Sequence, residues 1–312
     1  MTIALLRDVA ADGYPTDYLL ARVRARRATV AAQWLAQRER GLPQGISDDS
    51  IWEGFLRELG WLRTQMNRRV RQDLDPVFGL FELKTLVLCL RDKAALRDAE
   101  VERLLAHSQL AAVLRHALQH EHDVAAAVAI IATALAAEDA GPAALQSAYA
   151  DAGLKGFEAR LTRHYLACMA EARLHPVVRR FFAAFADLRN LMTLYKHLRW
   201  GIVDATAFVP GGTIATSHMT QAEASRDAAE LDRLVRSIAG RSAPPLATAE
   251  GSLETVLLGS LSREVRRLGE QDGAVGTFLD YAWRVYIHAR NQSILLHAGD
   301  LGPATLEKEL VA

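Results

Sequence analysis

The amino-acid sequence predicts an all-α fold, and three features of its composition support that prediction. Gly and Pro number 20 and 9 among 312 residues, and they cluster rather than spread. The stretches between the clusters are rich in Ala, Leu, Arg and Glu, which favour helices. Alternating runs of β-branched residues, the sign of strands, are hard to find. The clearest breaks between helices are predicted at residues 41–45, 138–142, 209–213 and 243–247.

Local patterns place two helices in the first half of the chain. Asp48, Asp49 and Ser50 precede an apolar periodicity, and together they predict a helix start. The longest apolar run covers residues 124–137 and is shorter than the ~20 residues that cross a bilayer. We therefore expect a buried helix there, and we expect any membrane association to come through a partner.

The two longest predicted helices lie further along the chain. Apolar side chains between residues 178 and 200 recur at steps of three and four and form one stripe, which Gly201 ends. A second long helix is predicted from about Thr277 to His297. Pro303, at a position that tolerates proline, opens a short last helix.

Charge and cysteine usage argue against several classes of protein. Lys plus Arg and Asp plus Glu are 37 each, so the chain lacks the basic excess of a nucleic-acid-binding protein. Cys89 and Cys168 lie in apolar helical segments, which predicts two small buried side chains in a reducing cytoplasm. The first 13 residues lack the apolar core of a signal peptide.

A weak internal repeat relates residues 81–94, 185–201 and 286–300. The aligned polar positions are Glu82, Asp187 and His288; Lys84, Arg189 and Arg290; and Thr85, Asn190 and Asn291. The copies are 105 and 101 residues apart, from 187 − 82 and 288 − 187. We therefore predict three similar helical units, at residues 1–105, 106–215 and 216–312.

Motifs of catalysis or metal binding are weak in this sequence. His116, His120 and His122 include a pair four residues apart, a spacing that suits one metal ion, yet a polar helix end explains them better. The glycines at 211–212 lack the Lys-Ser/Thr ending of a phosphate-binding loop. We expect no catalytic residue, no cofactor and no metal; a helical metalloenzyme that uses the His116 cluster is the alternative from a different class.

Four segments, in order, resemble the family of C subunits in V/A-type (vacuolar/archaeal-type) ATPases, the counterparts of the d subunits in the vacuolar enzymes. They are YLLARVRARRATV (18–30), FADLRNLMTLYKHLRWG (185–201), AFVPGGTIA (207–215) and IHARNQSILLHAGDLGPATLEKELV (287–311). Two positions depart from that family's pattern, since it usually has Glu where His288 stands and Asn where Thr85 stands.

The resemblance implies a pseudo-threefold funnel of three helical units with no reactive site. It implies a rotor adaptor, peripheral on the cytoplasmic face of the membrane, that couples the central-stalk shaft subunits to the proteolipid ring. The coupled process would be ATP synthesis or hydrolysis linked to H+ or Na+ transport. The alternative is an unrelated all-helical scaffold that binds another protein.

Three interpretations of the repeated polar residues stay open at this point. Asn190 and Asn291 cap or bridge helices by pairing buried backbone groups, contact the shaft directly, or lie on an ordinary solvated face. Asp187 and His288 share their helix faces. Glu82 and Thr85 are the first-copy counterparts. Arg189 and Arg290 either pair within the chain, face solvent or meet a partner. The basic clusters at 22–27 and 68–71 either form a solvated or salt-bridged surface or contact lipid headgroups or an acidic partner.

Overall fold

A computed structural model describes residues 5–135, 141–204, 207–240, 252–298 and 302–311. This part of the chain contains 13 α-helices. Their bounds are α1 Thr16–Arg40, α2 Asp48–Gln65, α3 Arg68–Ala94, α4 Asp98–His107, α5 Ala112–His120, α6 Val124–Leu135, α7 Gly141–Glu171, α8 Pro176–Trp200, α9 Thr216–Ser225, α10 Ala228–Ala239, α11 Leu253–Gln271, α12 Gly273–His297 and α13 Pro303–Glu309.

The all-α prediction is confirmed. The structure is 80% helical and contains no strand within the described residues. One isolated antiparallel bridge joins Leu6 to Leu110. None of the described helices has the length and apolar character needed to cross a membrane.

The predicted helix limits agree closely with the observed ones. Helix α2 begins at Asp48, α13 begins at Pro303 and α8 ends at Trp200. Gly201 follows α8 with φ of 67°, the left-handed conformation that glycine adopts most easily. Helix α12 begins four residues before the predicted start, because Gly273 already turns the chain after α11.

Breaks at 41–45 and 209–213 separate helices as predicted. Most of the break at 138–142, the end of the 124–137 run and the whole break at 243–247 lie outside the described residues. One interruption was not predicted: α7 is kinked at Ala152 and Gly153, where the backbone leaves the helical conformation.

The chain forms two compact units, the first comprising Met1–Leu19 and Trp52–Arg173. Helix α3 packs against α4, α5, α6 and α7, and the rings of Phe55 and Phe81 meet edge to face with centroids 5.4 Å apart. Both cysteines are buried here and neither is in a disulfide, as predicted. Burial raises the pKa of the Cys89 thiol.

The interpretation of the basic cluster at 68–71 as surface is wrong for Arg71, because the Arg71 side chain is buried. Its guanidinium donates to the backbone carbonyls of Val9 (2.9 Å), Met66 (3.1 Å) and Ala11 (3.2 Å). Arg71 therefore ties the N-terminal segment to the junction of α2 and α3.

The second unit comprises Leu20–Ile51 and Leu174–Ala312. Helices α11 and α12 form its largest contact, and α8 packs on α11 beside α9 and α10. Trp283 is buried against Phe181, with ring centroids 5.7 Å apart, and its indole N–H donates to Ser262 Oγ at 2.9 Å. The second and third repeat copies both lie in this unit. The three-unit division and its boundaries stay a prediction.

Candidate functional site

The first repeat copy places a buried carboxylate against the loop that follows α4. Glu82 of α3 accepts hydrogen bonds from Ser108 Oγ at 2.6 Å and from the Gln109 backbone N–H at 2.7 Å. Thr85, one turn later, also bonds to this carboxylate. Burial raises the pKa of Glu82, and the hydrogen bonds and the Arg63 charge act in the opposite direction.

The second copy repeats this arrangement in α8. Asp187 accepts hydrogen bonds from the backbone N–H groups of Thr213 (2.9 Å) and Ile214 (3.0 Å), and from the Thr213 hydroxyl. Gly212 lies so close that a Cβ atom there would sit 2.2 Å from Asp187 Oδ1. The Gly-Gly turn therefore allows the loop to approach the carboxylate, and phosphate binding is not needed to explain it.

The two carboxylates bind partners at the same sequence distance. Ser108 and Gln109 follow Glu82 by 26 and 27 residues, and Thr213 and Ile214 follow Asp187 by 26 and 27 residues. In each copy a hydroxyl and a backbone N–H just before the next helix meet a carboxylate on a buried helix. We call this arrangement the carboxylate clamp.

Asn190 and Asn291 each pair with a valine backbone. Asn190 Nδ2 donates to the Val209 carbonyl at 2.9 Å, and the Val209 N–H donates to Asn190 Oδ1 at 2.8 Å. Asn291 makes the same pair of bonds with Val311, at 2.7 and 3.1 Å. Both asparagines are 1% exposed, so each amide satisfies backbone groups that would otherwise be buried without partners.

The residues that depart from the repeat make different contacts. Thr85 stands where the other copies have Asn, and its hydroxyl bonds to Glu82 on the same helix. His288 stands in the carboxylate position, where its Nε2 lies 3.0 Å from Gln37 Oε1 and its ring meets that of Trp34. Burial lowers the pKa of His288 to about 4, which keeps the imidazole neutral at physiological pH.

The three aligned cations have three different environments. The Lys84 ammonium lies 3.2 Å from the ring centroid of Trp52. Arg290 donates to the Glu309 carbonyl at 3.2 Å, and its Nε lies 3.6 Å from Glu254. Arg189 is exposed and forms no ion pair with any side chain that the structure describes. Its base is nonetheless packed among other residues: burial lowers the pKa of Arg189, and the nearby Tyr286 and Glu254 act in the opposite direction. Of the three, Arg189 is the one placed to meet solvent or a partner.

The open groove beside the second clamp has a volume of about 540 Å³ and lies between α8, α10 and α11. Its lining includes Asp187, Arg180 and Glu264. Asp187 is occupied by its loop, and Glu264 pairs with Arg267 at 2.5 Å. The acidic groups of the groove are thus engaged within the chain.

The histidine cluster brings two rings together. The ring centroids of His116 and His120 lie 4.5 Å apart at the end of α5. Within the described ranges, no group of three or more His, Cys, Asp or Glu side chains is placed to hold a metal ion.

A second buried pair was not predicted from the sequence. His197 of α8 contacts Glu223 of α9 through Nδ1, and both side chains are buried. The same Glu223 oxygen accepts the Asp204 backbone N–H at 3.2 Å, which fixes the turn after α8. No local spacing signals this contact, because it depends on how α9 folds back on α8.

Comparison with known proteins identifies the family. No curated protein matches the chain. A family model described as ATP synthase (C/AC39) subunit matches residues 28–297, which is well over half of the sequence. The match includes all three repeat copies up to His297 and both carboxylate clamps. The chain belongs to the ATP synthase (C/AC39) subunit family of rotary ATPases.

Proposed function

We propose that this chain is the non-catalytic rotor adaptor of a V/A-type ATPase or ATP synthase. In that role it couples the central-stalk shaft subunits to the membrane proteolipid ring during ATP-linked H+ or Na+ transport. It lies at the cytoplasmic face of the membrane as a peripheral subunit and reaches the membrane through the ring. The observation that carries the proposal is the family match over residues 28–297.

Stiffness supports this role, because a coupler must pass torque without deforming. Close-packed helices compress little and transmit strain. Each carboxylate clamp adds hydrogen bonds that hold an irregular loop to a buried helix, and each asparagine bridge fixes another irregular segment. Loops are normally the softest parts of a protein, so fixing them suits a load-bearing component.

The chemistry of the polar residues also supports a non-catalytic role. Glu82, Asp187, Asn190 and Asn291 are buried, and their side chains bond to groups of the same unit. A general acid or base must reach a substrate proton in a cleft. These four groups instead hold backbone, so we assign them to the architecture of the adaptor.

Binding to the separate parts of the complex tests the proposal. Immobilised chain is incubated with the purified proteolipid ring, with the purified shaft subunits and with the detached catalytic hexamer. We expect the ring and the shaft to be retained, and the hexamer to be retained only when the shaft is present. Retention of the hexamer in the absence of the shaft would contradict the proposal. Retention of neither the ring nor the shaft would also contradict it.

A further inference from the structure

The turn after α8 carries an exposed apolar cluster. Trp200, Ile202 and Val203 are 63%, 43% and 64% exposed, and they account for three of the eight exposed large apolar or aromatic side chains in the described residues. Exposed apolar side chains that are grouped on a surface in this way are typical of interaction sites, whereas single exposed ones are ordinary. We call these three residues the α8 tip.

The turn that presents the α8 tip is fixed by hydrogen bonds. Its backbone N–H groups at Gly201 and Ile202 donate to the His197 carbonyl, the latter at 3.0 Å. Asp204 N–H donates to the buried Glu223 carboxylate, which also contacts His197. The apolar side chains are therefore held outward by a turn whose backbone is anchored to buried groups.

A row of cations leads to the α8 tip along one face of the helix. Arg189, Lys196 and Trp200 are separated by seven and four residues, which places them on the same side of α8. Arg199 lies beside them and donates to Tyr195 OH at 3.0 Å. All three cations are exposed, and no carboxylate in the described part of the chain lies within ion-pair distance of them, although the Glu254 charge acts on Arg189 from farther away.

The opposite side of α8 is buried, so this face is the one left for a partner. Asp187, Leu191 and Leu194 pack inside the second unit. The exposed face runs from Arg189 to Trp200, which is about 16 Å at 1.5 Å of rise per residue. Arg226 adds a further exposed cation near Gly201, while Asp204 is the acidic residue nearest to the tip in sequence.

We propose that this face is a docking surface for an acidic protein segment of the rotary complex, with apolar residues at one end. Carboxylates of that segment would pair with Arg189, Lys196 and Arg199, and its apolar end would cover the α8 tip. Exposed tryptophan and arginine side chains are the residue types that most often dominate binding energy at protein interfaces. The proposal rests on the proposed function, which supplies the complex.

The length of the basic face favours a protein over a lipid surface. A membrane could accept the α8 tip and place Arg199 among its headgroups. With α8 upright on the membrane and its tip inserted, Arg189 would stand about 16 Å from the tip, beyond the ~10 Å over which the membrane's surface charge acts. A protein segment lying along α8 meets all three cations.

Two surface variants and their matched controls test the docking surface. The tip variant is Trp200→Ser/Ile202→Ser/Val203→Ser, and Leu96→Ser is its control because Leu96 is 87% exposed in the other unit. The charge variant is Lys196→Glu/Arg199→Glu, and Lys155→Glu/Arg160→Glu is its control because it reverses an exposed Lys and Arg on α7. All these side chains are exposed, and circular dichroism checks that each protein is folded.

The assay measures binding to a rotary complex prepared without this subunit. We expect both surface variants to bind at least tenfold more weakly than the wild type, and both controls to bind within twofold of it. Raising the salt concentration should weaken wild-type binding and leave the charge variant nearly unaffected. Wild-type binding with unchanged binding of both surface variants would overturn the docking surface alone. Failure of the wild-type chain to bind would overturn the proposed function.

A photo-crosslinker at position 200 identifies what covers the tip. In the assembled complex we expect crosslinks to a protein peptide that contains Asp or Glu and apolar residues. Crosslinks to lipid, or Trp200-dependent sedimentation of the isolated chain with phosphatidylglycerol vesicles, would assign the tip to a membrane and overturn the proposal. Crosslinking only to peptides without acidic residues would also overturn it.

Discussion

Replacing Asn190 with leucine tests whether the asparagine bridges stabilise the protein. Leucine has a similar size, so the change removes hydrogen-bonding groups without opening a large cavity. It leaves the N–H and C=O groups of Val209, a residue that is 5% exposed, without their side-chain partner. Each polar group buried without a partner costs ~1–3 kcal/mol.

Two unpaired backbone groups set the expected size of the effect. Their combined cost is about 2–6 kcal/mol, and movement of the loop toward water recovers part of it. We therefore expect Asn190→Leu to lower the free energy of unfolding by about 2–4 kcal/mol. The second bridge predicts a loss of similar size for Asn291→Leu.

Urea denaturation followed by circular dichroism measures the loss of stability, and hydrogen exchange locates it. The Val209 amide should exchange much faster in the variant than in the wild type. Gln221→Leu on the exposed face of α9 is the control and should change the free energy of unfolding by less than about 0.5 kcal/mol. A loss below about 1 kcal/mol for Asn190→Leu, with unaltered exchange at Val209, would refute the reasoning.

Three further substitutions give independent predictions. Gly212→Ala places a Cβ atom 2.2 Å from the Asp187 carboxylate and should destabilise by about 1–3 kcal/mol in urea denaturation, whereas Gly54→Ala, with open space in α2, should be neutral or stabilising. Burial lowers the pKa of His288 from 6.5 to about 4. Between these two pH values the unfolded chain binds more protons than the folded protein, so the free energy of unfolding falls as the pH drops through this range. Allowing for partial exposure, His288→Gln should remove about 2 kcal/mol of this pH dependence in unfolding curves, and an unchanged pH profile would contradict the assignment. Arg71→Leu leaves three backbone carbonyls without their donor and should cost about 2–4 kcal/mol; proteolysis near the N-terminus at the wild-type rate would count against it.

Much of the helical framework was predictable from the sequence. Periodicity and breakers placed α8 and the start of α2 because those signals are local. The kink at Gly153 was missed because a single glycine in an Ala-rich segment gives no unambiguous break.

The site was predictable in part. The repeat singled out Glu82, Asp187, Asn190 and Asn291, and all four bond to irregular segments. Their partners were not predictable, because Ser108 and Thr213 share little beyond a hydroxyl group and lie 26 residues away. That distance is set by how the following helices pack, which no local pattern encodes.

The buried position of Arg71 and the His197–Glu223 contact show the same limit. A run of basic residues predicts a solvent-exposed surface when only charge is considered. The buried Arg71 guanidinium is instead hydrogen-bonded to backbone carbonyls of the N-terminal segment. His197 and Glu223 belong to separate helices and meet only in the folded unit. The burial of Arg71 and the His197–Glu223 contact both depend on packing between segments that are distant in sequence.

The most direct measurement compares ATP hydrolysis with ion transport in a complex that lacks this subunit. We expect the detached catalytic sector to hydrolyse ATP at its usual rate, while ATP-driven H+ or Na+ movement into reconstituted vesicles is lost. Adding back the purified chain should restore transport. Transport at the wild-type level without this chain, or hydrolysis by the detached sector that requires it, would contradict the proposed role as a non-catalytic coupler.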